Sequence, residues 1–378
     1  MSLQDINKPT LLLDAHRTQR NIRRMAEKAR LQGVNFRPHF KTHQSAVIGA
    51  WFRQVGVSAI TVSSVDMALY FARHGWDDIT IAFPVNLRQA AELEHLASTI
   101  RLGLLVESPH AAEALQARLK APLRLWIEVD EGSRRSGLSW EQPEAIYTLA
   151  QAIQRFPQFH FEGLLTHAGR IYGAASLEEI KRIHGECVER MNHVRHFLVK
   201  RGIPAPKISI GDTPGCTIVE HYWEIDEIRP GNFVFYDAMQ LRLGVCSQQD
   251  VAVGLACPVV ALYPERQEVV IYGGAVHLSK DHFFEADHPV YGYVALTNGA
   301  GWGECLPGAY VARVSQEHGV VHLPERYFPH INLGDLLVVI PAHSCLVVSA
   351  LGEYLTLVGQ NVTTFLKGDD LPGGRIIE

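Results

Sequence analysis

The first two thirds of the chain repeat one pattern, in which a short apolar or β-branched run is followed by a stretch with helical periodicity. Such alternation is typical of βα units and of a parallel sheet. Eight runs follow one another within roughly 200 residues, which is the strand number and the length of a (β/α)8 barrel. The predicted strands are 35–40, 59–64, 78–83, 100–107, 123–130, 159–167, 207–211 and 224–230.

An open, doubly wound sheet shares this alternation and is the competing interpretation. Such a sheet normally has a glycine-rich dinucleotide turn after its first strand. Here the first predicted strand leads into HFKTHQ, residues 39–44, which contains no glycine. The sequence therefore favours the closed barrel.

The pattern changes after about residue 236, where runs alternate without helical spacing and are punctuated by Gly and Pro. This texture predicts an antiparallel β domain. The early run PTLLLDA, residues 9–15, can add a strand to it. We expect an α/β protein with a TIM-like (β/α)8 barrel at 16–236 and a C-terminal antiparallel β domain at 237–378. Residues 1–15 are expected to belong to the β domain.

Composition limits the partners and the compartment. The formal charge is -5 with the signs interspersed, which argues against nucleic acid as the main partner. No run reaches about 18 apolar residues, and the N-terminus lacks signal-peptide features, so a cytoplasmic protein without a membrane span is expected. The 6 cysteines are scattered without a CxxC pair, so each is by default a small buried apolar residue.

In a barrel of this kind, functional residues come from the carboxyl ends of the strands. Lys41 follows the first predicted strand, Arg135 follows the fifth, and His167 and Tyr172 follow the sixth. A lysine in such a place is usually a solvated charge. Its meaning depends on what the other strand ends carry.

The ends of the seventh and eighth strands predict a phosphate site. GDTPG predicts a helix start with Thr213 as N-cap and Pro214 at the first helical position, where free backbone N–H groups bind phosphate. After the eighth strand, Gly231 permits close backbone approach and Asn232 adds a donor. An amine and a phosphate cradle on one rim favour a phosphorylated carbonyl cofactor held as a Schiff base, and pyridoxal phosphate meets both requirements.

Five motifs, RPHFKTH, LLTHAGRIYG, GDTPGC, RPGNFVFYD and PAHSC, together resemble the fold-type III pyridoxal phosphate enzymes. The similarity is to the D-serine dehydratase and D-threonine aldolase group, related to alanine racemase, and runs through nearly the whole chain. It implies that Lys41 carries the cofactor. It also implies cofactor contacts by Tyr172 and Thr213, and a phosphate site completed by Gly231 and Asn232.

The same resemblance implies further roles. Arg135 would lie near the cofactor ring, and His167 matches the family's histidine on strand six, with its role left open. The substrate would be a small D-amino acid. The resemblance also suggests a head-to-tail homodimer.

The run PAHSCL places His343 and Cys345 two residues apart in a strand-like segment, so both side chains are expected on one face. Imidazole and thiolate can supply half of a Zn²⁺ shell. From spacing alone, a hydrogen-bonded histidine beside a buried cysteine is the simpler interpretation. The resemblance implies a zinc site instead, and because aldolase relatives more typically have His-x-Asp, Cys345 favours dehydration.

Other polar residues have weaker claims. Glu317 and His318 could reach the same site or form a surface pair at a turn, and His277 and His282 could line a substrate pocket. A second substrate carboxylate could be bound by basic residues, for which the candidates are Arg134, Arg170 and Lys280.

The hypothesis is a lyase dependent on pyridoxal phosphate and zinc that acts on β-hydroxy D-amino acids. Lys41 would remove the Cα proton, zinc would stabilise the departing hydroxyl, and the products would be a 2-oxo acid and ammonia. The first alternative is D-threonine aldolase-type cleavage of Cα–Cβ. A racemase, which needs a second base and no metal pair, and a non-catalytic cofactor-binding protein are also possible, although the second domain favours an enzyme.

Overall fold

The computed structural model of the chain describes residues 3–299 and 301–367. Its strands are β1 Thr10–Leu13, β2 Asn35–Phe36, β3 Ile60–Val62, β4 Asp78–Pro84, β5 Arg101–Val106, β6 Leu123–Asp130, β7 Leu138–Ser139, β8 Phe159–Thr166, β9 Lys207–Ile210, β10 Glu227–Ile228, β11 Val253–Tyr263, β12 Glu268–Tyr272, β13 Phe283–Glu285, β14 His288–Val290, β15 Gly292–Asn298, β16 Gly301–Val314, β17 His318–His322, β18 Leu336–Pro341, β19 Glu353–Thr356 and β20 Asn361–Thr363.

The α-helices of the described residues range from one turn to more than six. They are α1 Ala15–Leu31, α2 Ala46–Arg53, α3 Val65–Arg73, α4 Ala90–Thr99, α5 Pro109–Gln116, α6 Pro143–Gln154, α7 Leu177–Lys200, α8 Thr213–Ile218, α9 Ala238–Arg242, α10 Ala275–Leu278 and α11 Ser344–Leu351. None of the described helices is both long and apolar enough to cross a membrane.

Contacts divide the chain into two compact units. One, here called the barrel unit, comprises Arg23–Lys41 and Gly49–Gly231. The other, the β unit, comprises the described parts of Met1–Ile22, Thr42–Ile48 and Asn232–Glu378. The sequence-based domain boundaries, 16–236 and 237–378 with 1–15, stay a prediction. Within them, residues 1, 2, 300 and 368–378 lie outside the described residues.

The barrel unit contains an eight-stranded parallel sheet in the order β2-β10-β9-β8-β6-β5-β4-β3. The ring closes just after β2, where His39 forms a parallel bridge with Thr61. There Phe40 N–H donates to the Thr61 carbonyl at 2.8 Å, and Thr61 N–H donates to the Pro38 carbonyl at 2.9 Å. The predicted (β/α)8 barrel is confirmed.

The predicted first and eighth strands are shorter than expected. Only Asn35–Phe36 and Glu227–Ile228 form regular ladders, because Pro38 and Pro230 have no N–H to donate and interrupt the pairing just beyond. Elsewhere the local signals are as predicted. Ser64, for example, caps α3 by accepting from Met67 N–H at 3.2 Å.

A hydrophobic cluster fills the middle of the barrel. Leu105, Trp126 and Leu165, from β5, β6 and β8, are each at most 2% exposed, and Ala82 packs against them. Burying such large apolar side chains is the main stabilising contribution to a barrel interior. Because Ala82 and Leu165 also border the cavity described below, this cluster forms its floor.

The β unit contains a nine-stranded sheet in the order β12-β17-β16-β15-β18-β11-β1-β19-β20. All its ladders are antiparallel except that of β1 with β19. Strand β1 lies between β11 and β19, which confirms that the early run PTLLLDA adds a strand to this sheet. A separate hairpin pairs β13 with β14.

One predicted strand of the β unit is wrong. The run DLLVVIPAHSCLVVSA is a strand only to Pro341, and Ser344–Leu351 is helix α11. Short apolar runs do not distinguish a buried strand from a buried helix. The helix end is marked by Gly352 at φ +71°, a left-handed conformation that glycine adopts without steric cost.

Candidate active site at the mouth of the barrel

A cavity of about 370 Å³ lies at the carboxyl ends of the barrel strands. Half-buried Lys41, which follows the first strand, is part of its wall. The polar and charged groups around it come from several different strands, and the full lining is His39, Lys41, Ser63, Ala82, Phe83, Pro84, Glu128, Arg135, Ser136, Leu165, His167 and Arg229. Within the barrel unit, the predicted residues Lys41, Arg135 and His167 are therefore brought together.

The lining of this cavity is rich in cations. Lys41, Arg135 and Arg229 carry positive charge, and Glu128 is the acidic residue among the lining groups. Burial, then the charges of Lys41 and Arg229, lowers the pKa of His39 well below its usual value. Burial, then Lys41 and Arg135, lowers the pKa of His167 to about 3, so both imidazoles are neutral. Such a cavity favours an anionic ligand.

Arg229 is a candidate residue that the sequence reasoning missed. It is 4% exposed, and it donates from Nε to Ser209 Oγ at 2.7 Å and from Nη2 to the Thr166 carbonyl. Burial lowers its pKa to about 10, although the charges of Glu227 and Glu128 act in the opposite direction. The signal was an arginine at the end of a predicted interior strand, where an unpaired charge is rare.

His167, Tyr172 and Thr213 form a connected series beside the cavity. The His167 and Tyr172 rings stack with centroids 5.9 Å apart and an interplanar angle of 29°. Thr213 N–H donates to Tyr172 Oη at 3.5 Å, and His167 Nδ1 contacts the Gly211 carbonyl. The first turn of α8 is thus linked to the end of β8.

The prediction that Thr213 caps α8 is wrong by one residue. Asp212 is the N-cap and accepts from Gly215 N–H at 2.5 Å, so Thr213 is the first helical residue and Pro214 follows it in the first turn. Aspartate caps at least as well as threonine, and proline is tolerated in the first turn. Burial raises the pKa of Asp212 to about 7, opposed by the backbone donors of Gly215 and Cys216.

Gly231 and Asn232 follow the eighth strand as expected, but the Asn232 side chain is already engaged in the β unit. Its Nδ2 donates to Asp237 Oδ2 at 2.6 Å and to Ser344 Oγ at 2.9 Å. Gly231, at the end of the barrel unit, is half-buried. The side-chain amide of Asn232 could bind a phosphate only by giving up its hydrogen bonds to Asp237 and Ser344. The backbone N–H of Asn232 is therefore the better candidate for a phosphate contact.

His343 and Cys345 contact each other, although not in the predicted way. His343 is the N-cap of α11 and Cys345 is the second residue of that helix, so the shared face of a strand does not exist. Their side chains nevertheless share a hydrogen bond. Cys345 Sγ also lies 3.2 Å from Thr42 Oγ1. The first turn of α11 therefore brings His343 and Cys345 together, as the predicted strand was expected to do.

An aspartate that the sequence reasoning did not single out holds the other side of His343. Asp281 Oδ2 lies 2.8 Å from His343 Nδ1. Burial lowers the pKa of His343, but the charge of Cys345 and the hydrogen bonds to Asp281 and Cys345 outweigh it and raise that pKa to about 11. Asp281 contacts the ring of His343 at Nδ1, so Nε2 is the ring nitrogen that Asp281 does not contact.

Imidazole and thiolate are a donor set that suits zinc. Over residues 3–299 and 301–367, the structure contains no group of three or more His, Cys, Asp or Glu side chains placed to hold a metal ion. The pair His343–Cys345 thus fits a two-ligand site whose remaining positions would be filled by water or substrate.

The weaker candidates have mostly structural partners. His277 Nε2 lies 3.8 Å from Glu317 Oε2, and His282 Nδ1 lies 3.1 Å from the Lys280 carbonyl. Arg170 donates to Glu131 at 2.9 Å and to Glu186 at 3.2 Å. None of these contacts indicates a role in binding a substrate.

Arg134 and His318 are exposed. Arg134 has a left-handed backbone, φ +55°, capped by Asp130. The use of Arg134, Arg170 or Lys280 for a second carboxylate stays a prediction.

A closed barrel with a lysine at the exit of its first strand, followed by a β domain, defines the class of proteins built like alanine racemase. The chain belongs to the alanine racemase N-terminal domain family, whose model matches residues 13–238. A second family model, the serine dehydratase domain, matches residues 252–357. Membership of the first family implies pyridoxal phosphate as cofactor.

Similar proteins are lyases of D-amino acids. The chain is 29% identical to the D-threo-3-hydroxyaspartate dehydratase of Delftia sp. (strain HT23), over 91% of this chain and 92% of the relative. It is 25% identical to the D-serine dehydratase of Dictyostelium discoideum, over 95% of each chain. It is 26% identical to the D-threonine aldolase of Arthrobacter sp., over 90% of this chain and 86% of the relative.

The fold agrees with a solved structure of one of these relatives. The Delftia dehydratase superposes with a TM-score of 0.88 at 27% identity, covering 96% of this chain and 98% of the other. A cysteine variant of the same enzyme, described as a metal-free form, superposes equally well, with a TM-score of 0.88 at 26% identity over 96% and 99%.

Proposed function

We propose that this protein is a lyase dependent on pyridoxal phosphate and zinc that removes the β-hydroxyl of a β-hydroxy D-amino acid, giving a 2-oxo acid and ammonia. D-serine would give pyruvate. The observation that carries this proposal is the contact between His343 and Cys345, which lies inside the region that matches the serine dehydratase domain. The names of two similar proteins, both dehydratases, support it.

The cavity beside Lys41 fits the cofactor chemically. Pyridoxal phosphate is anionic, and Lys41, Arg135 and Arg229 give the lining a positive charge. We propose that Lys41 binds the cofactor carbonyl and that His167 and Tyr172 lie against the cofactor. The phosphate would be bound at Thr213, Gly231 and Asn232. When bound, the cofactor supplies a carbonyl that accepts an amino group and a ring that delocalises the charge left at Cα.

Lys41 would then have two tasks. Its amine would hold the cofactor carbonyl, and as a free amine it would remove the proton from substrate Cα. The neighbouring imidazoles of His39 and His167 are neutral, so they add no charge that would repel a protonated amine. Arg135 would bind an anionic group of the ligand, because its side chain is 60% exposed beside the cavity.

His343 and Cys345 would hold the zinc ion. Zinc at this position would supply a Lewis acid that stabilises the oxygen of the β-hydroxyl as it leaves. Asp281 would keep the His343 ring oriented by accepting from Nδ1, so that Nε2 faces the metal. A cysteine variant of a D-threo-3-hydroxyaspartate dehydratase is described as being in a metal-free form, which supports a metal in that relative.

Cleavage of Cα–Cβ, as in a D-threonine aldolase, is the second candidate because one similar protein carries that name. It would use the same lysine and yield glycine and an aldehyde. A racemase or a non-catalytic cofactor-binding protein would have no use for the His343–Cys345 pair. A head-to-tail homodimer and a cytoplasmic location stay predictions from the sequence.

The test is a product assay on the protein loaded with pyridoxal phosphate and zinc. D-serine, D-threonine and D-threo-3-hydroxyaspartate are each incubated with and without a chelator, and oxo acid and glycine are measured separately. Oxo acid that disappears with the chelator is the expected result. Glycine as the main product would replace the proposal by the aldolase, and accumulation of the enantiomer alone would replace it by the racemase.

A further inference from the structure

Two carboxyl groups meet at the ends of neighbouring barrel strands. Glu107 directly follows β5, and Glu128 lies in β6. Their side chains share a hydrogen bond. Two ionised carboxylates are acceptors only, so this bond requires that one of them carries a proton. Glu128 is 5% exposed, so the bond is shielded from water.

The pair is fixed by the loop that carries Arg135. Gly137 N–H donates to Glu107. Gly137 has φ +96°, and a Cβ there would lie 2.8 Å from the Glu128 carbonyl oxygen, so only glycine fits. Two buried oxygens, Glu107 Oε1 and Glu128 Oε2, have no other hydrogen-bond donor among the described residues, so a shared proton would satisfy them.

Glu128 connects this pair to the cavity. It lines the cavity together with Lys41, Arg135, His167 and Arg229. Its Oε1 lies 3.6 Å from Arg135 Nη2, while the Arg135 side chain is 60% exposed. An exposed arginine side chain loses rotamer freedom when an ion pair fixes its position. The position of Arg135 therefore depends on Glu128.

We propose that Glu107 and Glu128 act together as positioning residues, holding one shared proton and fixing Arg135 at the edge of the cavity for an anionic group of the ligand. With one proton, the pair has a single negative charge, which matches Arg135. With none, repulsion between the carboxylates would separate them and displace Glu128. This inference rests on the proposed function for the identity of the ligand.

Burial and the neighbouring carboxylate favour a retained proton on the pair, and the cations nearby oppose it. Burial, then the hydrogen bond and the charge of Glu128, raises the pKa of Glu107, while Gly137 N–H acts in the opposite direction. The charged groups facing Glu128 are Arg135 and Arg229, and Lys41 lines the same cavity. Since the pKa of Glu107 is raised, the proton is present at lower pH and lost as pH rises through it.

The first measurement needs no cofactor. Difference infrared spectroscopy of the full chain, wild type against Glu107→Gln, should show a protonated carboxyl band that disappears as pH rises. The band should be absent from Glu107→Gln and unchanged in Glu141→Gln, a matched exposed control. If the wild type has no protonated carboxyl band that persists to higher pH than that of an ordinary glutamate, the shared proton is overturned, whatever reaction the protein catalyses.

The second measurement uses the protein loaded with pyridoxal phosphate. Glu128→Gln should raise KM about tenfold with a smaller effect on kcat, and should add little to Arg135→Ala, because both remove one interaction. In the wild type KM should rise as the pair loses its proton, and Glu107→Gln, which keeps a hydrogen-bond donor but cannot ionise, should lose that rise. Additive effects of Glu128→Gln and Arg135→Ala, or an unchanged rise of KM with pH in Glu107→Gln, would overturn the positioning role.

Two controls distinguish a folding defect from the loss of the positioning role. Circular dichroism and the visible spectrum of the bound cofactor are recorded for each variant. Glu128→Asp keeps the charge on a shorter side chain and should recover part of the KM that Glu128→Gln loses. No recovery in a folded Glu128→Asp variant would also count against the proposal. If the wild type does not bind pyridoxal phosphate, the proposed function fails, and the infrared result still decides on the shared proton.

Discussion

The two ends of the barrel have cavities of different character. The cavity at the amino ends of the strands measures about 920 Å³, and that beside Lys41 about 370 Å³. At the amino ends, charged groups are joined in ion pairs, with Arg37 bound to Asp78 at 2.6 Å and to Glu227 at 2.8 Å. The smaller cavity has three cations and one carboxylate in its lining. Unbalanced charge, rather than volume, therefore marks the candidate active site.

The physical reason is the cost of buried charge. A charge that leaves water must be paired, or its free energy rises by several kcal/mol. At the amino end of the barrel, charged side chains pair with each other, so this end stabilises the fold without a ligand. At the carboxyl end, an excess of cations is tolerable when an anionic ligand supplies the missing charge, which is the arrangement we expect of a cofactor site.

The largest effect should come from replacing the lysine at the carboxyl end. Lys41→Ala should lower the rate of oxo acid formation by about 10²–10⁴-fold, because we propose that its amine is both base and anchor. It should also abolish the visible absorption of lysine-bound cofactor. Lys207→Ala, at the amino end, should do neither. Equal losses in the two variants would remove the functional difference between the two ends.

The amino end should instead govern stability. Arg37→Met leaves the buried carboxylate of Glu227 without its arginine and should lower the free energy of unfolding by about 3–5 kcal/mol, measured by urea titration. Arg101→Met, at a 64% exposed position, should cost less than about 1 kcal/mol. The activity of the folded fraction should be unchanged in both. A normal unfolding free energy for Arg37→Met would show that the buried pairs contribute little.

A third cluster, in the β unit, extends the comparison to a metal. Asp281→Asn should weaken zinc binding by about 10–100-fold, since the amide cannot hold the imidazole of His343 as the carboxylate does. Competition with a chromophoric chelator measures this affinity without any assay of activity. Asp287→Asn is the control, because Asp287 is nearby in the chain but has no hydrogen bond or ion pair with His343 in the described part of the structure. Equal zinc affinity in the two variants would assign Asp281 to packing alone.

The sequence was sufficient for the barrel because each strand and helix has its own periodicity. It was insufficient where two kinds of structure share a pattern, as in the apolar run of α11. Lys41 was identifiable as the polar group at a strand exit, but Arg229 and Asp281 were not, since their importance depends on what folds around them. The bond between Glu107 and Glu128 depends on the register of β5 against β6, which no local pattern encodes.

The smallest effect concerns the pH at which each end loses stability. His167 has a pKa of about 3 in the folded chain against 6.5 for the free side chain, so the folded state loses stability as pH falls below 6.5. The contribution of His167 to this loss should be about 2 kcal/mol between pH 7 and 5. Asp78 has a lowered pKa: burial raises it, but the hydrogen bond from Arg124 and the charge of Arg37 outweigh that. Its contribution should therefore be lost only in more acid solution. Urea titrations of wild type, His167→Gln and Asp78→Asn between pH 7 and 5 test this. His167→Gln should reduce the loss by about 2 kcal/mol, and Asp78→Asn should not. Other buried histidines, such as His43 with a pKa lowered by burial to about 3, keep the remaining slope. If His167→Gln keeps the wild-type slope, the acid sensitivity does not come from this histidine at the carboxyl end.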